Sequence, residues 1–137
     1  MLSRSKIAGG IARMKDSDNY QTDIWLKRIF DDWFDPCPFL NCDEELWTNG
    51  LWIDWGERAF VNPPFSEMPA WVEKCILEHE KGCTIVGICK HDSSTAWWRR
   101  LNEAGARFMF FHGRLRYRTG TAPAWPSAMF ILSRDEE

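Results

Sequence analysis

Strand and helix patterns alternate from residue 58 onward, and the central strand pattern is a nearly unbroken apolar run, Thr84-Ile85-Val86-Gly87-Ile88-Cys89. Such alternation predicts an α/β fold, a mostly parallel sheet with helices on both faces. A strand without polar interruptions reads as covered on both of its own faces. The length of 137 residues makes this a compact version. One domain of that size buries roughly two-thirds of its unfolded surface and leaves little room for a second.

The elements follow in chain order. Residues 1–19 are polar, weakly periodic and contain Gly9-Gly10 with no strand before them, so they read as a flexible arm ahead of a domain over 20–133. Ile24, Trp25, Leu26, Ile29, Phe30 and Trp33 are spaced as a helical stripe, with Thr22 or Asp23 as cap, and the prolines of Phe34-Asp35-Pro36-Cys37-Pro38 end it. Residues 39–57 read as loop. Arg58-Ala59-Phe60-Val61-Asn62 is a short strand, and Ser66 is the expected N-cap of a helix that tolerates Pro69 in its first turn. Met68, Trp71, Val72, Cys75, Ile76 and His79 form the stripe of that helix, and Gly82 closes it. After the central strand, Ser93 or Ser94 caps a third helix through Trp97, Trp98 and Leu101 that stops near Gly105. Strands over Arg107–Phe111 and Ser127–Leu132 flank a loop, and residues 134–137 form an acidic tail.

Composition narrows the function classes. With 45% hydrophobic and 27% charged residues the chain reads as globular, and no run reaches the roughly 18–20 apolar residues of a membrane span. The basic N-terminus has no apolar stretch behind it and does not read as a secretory signal. A net charge of −3 argues against a protein that coats nucleic acid by bulk charge, while leaving a local basic face open. Five cysteines, an odd number without a Cys-x-x-Cys pair, argue against a disulfide framework or a standard zinc site and suit reduced thiols in a cytoplasmic protein. Cys75 and Cys89 sit inside apolar patterns as small buried hydrophobes. The nine tryptophans offer both bulk and flat faces: Trp25, Trp33 and Trp71 fall on stripes as core.

The sharpest chemical signal is Asn62-Pro63-Pro64-Phe65, directly after a strand and before a helix. Two prolines fix the backbone and remove two N–H donors, leaving the Asn62 side-chain oxygen and the Pro63 carbonyl as rigid acceptors. Two converging acceptors suit an exocyclic amino group, which offers two N–H donors, and Phe65 offers a face on which a base stacks. A Pro-Pro turn with Phe65 in the core accounts for the same residues.

Those four residues resemble the Asp/Asn/Ser-Pro-Pro-aromatic motif of amino-methyltransferases that use S-adenosylmethionine. With Phe60-Val61 before them and Pro69-Ala70-Trp71-Val72-Glu73-Lys74 after, the chain resembles the phage-type DNA N6-adenine methyltransferases. Further pieces fall in order: Tyr20-Gln21-Thr22 with Trp25-Leu26, Phe34-Asp35-Pro36-Cys37, Ser93-Ser94-Thr95-Ala96-Trp97-Trp98, Gly113-Arg114-Leu115-Arg116-Tyr117 and Pro123-Ala124-Trp125-Pro126-Ser127-Ala128. The likeness covers roughly residues 17–133, and its co-linearity is more specific than any piece. It implies a Rossmann-like domain that binds S-adenosylmethionine and methylates adenine in DNA. Asn62, Pro63, Pro64 and Phe65 would be its catalytic motif. Asp35, with Pro36, would meet the cofactor at a ribose hydroxyl, and Tyr20 and Thr22 its methionine part, with Asn62 also on the cofactor side. The pattern departs in lacking a Phe-x-Gly-x-Gly loop and in having Asp23 where proline is usual. No room remains for a sizeable target-recognition domain, so sequence specificity would be slight or come from loops or a second subunit, and a homodimer is left open.

On this reading Arg114, Arg116 and Arg118 form an alternating strip suited to DNA phosphates, or else a solvated strand face. One of Trp97, Trp98 and Trp125 would stack on a base. The Trp97-Trp98 pair cannot face one way on a helix. His79 reads as packed, His91-Asp92 as a solvated cap rather than an acid/base pair, and His112 as a phosphate neighbour. Cys37 and Cys42 with Asp43 or His91 fit no common metal pattern. N4-cytosine transfer, protein-glutamine methylation and a non-catalytic nucleic-acid binder of the same fold are the competing functions.

Overall fold

The structure is a computed structural model that describes residues 24–37, 50–111 and 126–134. Helix α1 spans Ile24–Ile29, strand β1 Arg58–Val61, helix α2 Met68–Glu80, strand β2 Thr84–Lys90, helix α3 Ala96–Glu103, strand β3 Arg107–Phe110 and strand β4 Ser127–Leu132. The four strands form one sheet in the order β1-β2-β4-β3. Phe34 adds a parallel bridge to Ala59 outside β1, so the turn that follows it lies against the sheet.

The expectation of a mostly parallel sheet is corrected. Only β1–β2 pairs in parallel, whereas β2–β4 and β4–β3 are antiparallel. The cause is β4, which runs opposite to the others and inserts between β2 and β3. An inserted strand of reversed direction carries the same apolar pattern, so the sequence does not betray it. Direction is nonetheless shared by β1, β2 and β3, and their carboxyl ends open on one edge of the sheet.

Helices cover both faces, as the alternation predicts. Alternate strand residues supply two apolar clusters. On one face Ala59, Val61, Ile85, Cys89, Ala128, Phe130 and Leu132 pack beneath Trp71, Val72 and Cys75 of α2 and Trp97, Trp98 and Leu101 of α3. On the other, Phe60, Val86, Ile88 and Met129 pack with Leu26 of α1, and Phe30 and Trp33 close over them. Gly87 faces Phe130 across β2–β4, and a Cβ there would overlap the Phe130 ring.

Both long helices end as their glycines foretell. Gly82 (φ +112°) and Gly105 (φ +93°) take the left-handed conformation. The Cys83 N–H donates to the Glu78 carbonyl and the Gly82 N–H to that of His79, with the same pair of bonds from Ala106 to Leu101 and Gly105 to Asn102. These are Schellman closures, which satisfy carbonyls the helix leaves open. The starts are corrected. Ser66 does not cap α2, because a 3₁₀ turn over Phe65–Glu67 precedes the helix and moves its start to Met68. Helix α3 is capped by Thr95, not Ser93 or Ser94: the Thr95 Oγ1 accepts from the Trp98 N–H at 3.3 Å, while Ser94 is held by Asp92.

Helix α1 is shorter than its stripe, ending at Ile29 in a turn through Phe30. Among its described side chains Leu26 alone is fully buried, and Trp25 is 47% exposed, which corrects its reading as core. Trp33 is half-buried and Trp71 fully buried. Trp97 and Trp98 are both buried although the pair cannot face one way on a helix. Helix α3 is covered on two sides, by α2 and by Phe108 of β3, on which Trp98 stacks at 4.1 Å.

The residues ahead of β1 form a strap along α2. Trp55 stacks near Trp71 (6.3 Å, 27°), and its Nε1 donates to the Gly50 carbonyl at 2.7 Å. The buried Glu78 carboxylate ties the strap down: Oε1 accepts from the Trp55 N–H at 3.0 Å, and Oε2 from Lys74 and Lys81, each at 2.8 Å. Burial alone would raise the Glu78 carboxyl, but the hydrogen bonds of Lys74, Lys81 and the Trp55 N–H outweigh it and bring it down to about 2.

Candidate active site

The carboxyl ends of the like-directed strands gather the chemistry-bearing residues. In open α/β sheets ligands bind at such ends, where loops leave the sheet with backbone groups unpaired by neighbours. Here the Asp35 turn follows the Phe34 bridge, Asn62–Phe65 follow β1, and Lys90-His91-Asp92 close β2.

The Asn62 segment is rigid and anchored. Asn62 is half-buried, and Pro63 and Pro64 are buried. The Pro64 carbonyl accepts from the Glu67 N–H at 3.0 Å, closing the 3₁₀ turn into α2. The Pro63 carbonyl lies between two prolines, whose fixed rings hold its direction. Phe65 is half-buried with part of its ring against the core, so the packing role and an exposed ring surface coexist in one side chain.

The acidic turn lies on the α1 side of β1. The Phe60 N–H donates to the Phe34 carbonyl at 2.9 Å, which aligns the turn with the strand. Asp35 is partly exposed; Oδ1 accepts from the Cys37 N–H at 3.1 Å and Oδ2 from Lys27 of α1 at 2.9 Å. A carboxylate offers about four acceptor positions, so room remains for a further donor. Pro36 is buried, and its carbonyl packs so closely on Gly50 that any Cβ there would collide with it and with the Trp71 ring. The Nε1 of the same Trp71 ring is buried, and no acceptor among the described residues meets it. An orphaned buried N–H costs about 1–3 kcal/mol and calls for an explanation such as a ligand or water.

After β2, Asp92 is not the cap of α3, which is Thr95, but holds the turn that leads to it. Its Oδ1 accepts from the Ser94 hydroxyl at 2.5 Å and the Ser94 N–H at 3.1 Å. Those two bonds, the hydroxyl first, hold its carboxyl below the ordinary value. His91 stands exposed, its ring stacked on Phe110 at 4.3 Å. His79 is half-buried, with Nδ1 3.2 Å from the Cys83 carbonyl.

The structure therefore brings Asp35, Pro36, Asn62, Pro63, Pro64 and Phe65 to one side of the sheet. Tyr20, Thr22, Arg114, Arg116, Arg118 and Trp125, with His112, Cys42 and Asp43, lie outside the described residues. Sequence reasoning missed Lys27 as the partner of Asp35, the Trp71 donor and the His91–Phe110 stack. Lys27 and Asp35 are separated by a helix end whose length the pattern overstates. The Phe108 and Phe110 alternation was a usable signal for the stack.

Among the described residues no helix is long and apolar enough to cross a membrane, and no three His, Cys, Asp or Glu side chains gather as a metal would require. No curated protein and no solved structure matches the chain. A sequence-family model does match, over residues 41–126, a span that holds Asn62–Phe65, β1, β2 and both long helices. The match covers more than half of the chain, which thus belongs to the DNA N-6-adenine-methyltransferase (Dam) family.

Proposed function

We propose that the protein transfers a methyl group from S-adenosylmethionine to the N6 amino group of adenine in DNA, in a Rossmann-like domain of phage or prophage type. The observation that carries this reading is the half-buried Asn62, followed by two buried prolines, at the carboxyl end of β1 in a chain of the DNA N-6-adenine-methyltransferase family. The shared direction of β1, β2 and β3 supports the fold reading, and the buried free thiols of Cys75, Cys83 and Cys89 support a cytoplasmic setting.

The residues present fit the cofactor. Asp35 retains acceptor capacity for a ribose hydroxyl, and the buried Trp71 N–H, which meets no acceptor among the described residues, is a donor that a ligand or water would complete. S-adenosylmethionine supplies an electrophilic methyl group. The chain's part is to position the nucleophile. Asn62 Oδ1 and the Pro63 carbonyl accept the two amino hydrogens of adenine, draw its lone pair out of ring conjugation and aim it. Phe65 gives the ring a face. No strong base is required, and rate comes from orientation and fixed dipoles. The base must leave the duplex to reach these groups.

Tritiated S-adenosylmethionine with DNA, followed by nucleoside analysis, tests the reading. N6-methyladenine is the expected product. N4-methylcytosine would redirect it to the neighbouring chemistry, labelled glutamine in a protein to another substrate, and no transfer with no cofactor binding at millimolar concentration to a non-catalytic binder.

A further inference from the structure

We propose that the rings of His91 and Phe110 form a shelf on which an unpaired base of the DNA strand stacks, a few nucleotides from the target adenine. This rests on the DNA-methylating reading above. Four rings from three elements are aligned there. Trp98 of α3 lies parallel to Phe108 (4.1 Å, 7°) and to Phe110 (6.4 Å, 8°), and His91 lies nearly parallel to Phe110 (4.3 Å, 23°) and Trp98 (6.0 Å, 19°). The array is graded in exposure: Trp98 is buried, whereas Phe110 is 53% exposed and His91 is exposed. Single exposed apolar side chains are ordinary on a protein surface, but a parallel, partly buried stack that ends in water is a surface shaped for another flat ring.

The shelf is held before anything binds. The Trp98 N–H donates to Thr95 Oγ1, the His91 N–H donates to the Pro126 carbonyl at 3.0 Å, and Phe110 pairs with Ala128 in the sheet. These bonds set the backbone beneath the rings, and the mutual stacking of the rings narrows their rotamer freedom, so less is lost when a base stacks. The place also fits. Val61 pairs with Gly87, so Asn62 stands level with Ile88, and His91 lies three residues further along the same direction. That is on the order of 10 Å at ~3.3 Å per residue, roughly the rise of three nucleotides at about 3.4 Å each. A base inside a duplex has both faces covered, so the shelf takes a base freed where the strand opens around the extruded adenine, or one in single-stranded DNA.

The test is fluorescence anisotropy of the full chain with a labelled single-stranded oligodeoxynucleotide, over a range of salt concentrations. Phe110→Ala should weaken binding about 5- to 150-fold, since stacking on one aromatic ring is worth about 1–3 kcal/mol per base. The slope of log affinity against log salt should not change, because no phosphate contact is lost. Phe110→Trp should restore affinity and Phe110→Leu should not. His91→Ala, which leaves the edge strand intact, should weaken binding in the same way, and thermal unfolding checks that each variant is folded. Unchanged affinity in folded Phe110→Ala and His91→Ala, full rescue by leucine, or a reduced salt slope each overturns the shelf. If the wild-type chain methylates DNA while these variants bind normally, the shelf alone falls; if the wild-type chain neither binds nor methylates DNA, the reading beneath it falls as well.

Discussion

At the amino edge of the sheet, where α2 ends and β1 and β2 begin, Glu78 is 1% exposed and both its carboxylate oxygens are hydrogen-bonded, by Trp55, Lys74 and Lys81. At the carboxyl edge, Asp35 remains partly open to solvent, the Trp71 N–H has no acceptor among the described residues, and His91 and Phe110 show their rings to water. One edge is closed and saturated, the other open and under-satisfied. Fold stability is concentrated where nothing needs to bind, and unmet hydrogen-bonding capacity where a ligand would meet it. The division yields a rule that can be broken: substitutions at the amino edge should cost stability and spare chemistry, and those at the carboxyl edge the reverse.

The largest effect is expected from Glu78→Ala. It strands the nearly buried Lys74 ammonium and the Trp55 N–H, and breaking a buried pair of this kind costs about 3–5 kcal/mol. Urea unfolding should show that loss, with cofactor affinity of the folded fraction unchanged. A fall in affinity at constant stability would erase the distinction between the edges.

Asn62→Ala is the counterpart. Loss of a positioned acceptor for the amino group should lower methyl transfer by about 10²–10³-fold, by analogy with removal of one preorganised hydrogen-bonding group elsewhere. The midpoint of thermal unfolding should stay close to that of the wild type. Undiminished N6-methyladenine in tritium assays of this variant would remove Asn62 from the chemistry.

Acid unfolding reads the amino edge from another direction. The folded Glu78 carboxyl sits at about 2, below the ordinary 4.5, so the charged form is favoured by the fold. Its contribution is complete above about pH 4.5 and drains away as pH falls towards 2, an amount on the order of 3 kcal/mol for this displacement. Glu78→Gln should flatten that part of the stability–pH curve. A curve of the same slope would assign the acid sensitivity to other carboxylates.

The two edges also differ in how much of them could be read from the chain. The pattern after residue 58 placed β1, β2, β3 and β4, both long helices and their glycine ends, because burial period and left-handed glycine are local rules. Direction was not local: β4 inserts backwards with an apolar pattern any strand would share. Glu78 was hidden in plain view on the Trp71–Cys75 row of α2, where a charge flanked by Lys74 and Lys81 signals a buried, paired carboxylate. At the carboxyl edge the Asn62 segment was legible because two prolines advertise a fixed backbone. The partners of Asp35 and the ring stack were not, since each joins residues brought together by tertiary packing.

The smallest effect should come from Lys27→Ala, and it tests the rule where it is most exposed. Lys27 and Asp35 meet at 2.9 Å with side chains 40% and 23% accessible. An ion pair so open gains little over hydration and is screened by salt, so its loss should change stability by under about 1 kcal/mol. The Cys37 N–H still holds Asp35 Oδ1, and the turn itself is aligned by the Phe60–Phe34 backbone bond, so its shape should survive. What changes is the charge beside Asp35: without the ammonium, the carboxylate presents its full charge and a freed Oδ2 to any hydroxyl that approaches. Calorimetric titration of S-adenosylmethionine should therefore show a change in affinity at nearly constant unfolding free energy. A loss of several kcal/mol in stability instead would mean that the carboxyl edge is braced as firmly as the amino edge, and the contrast between them would fail.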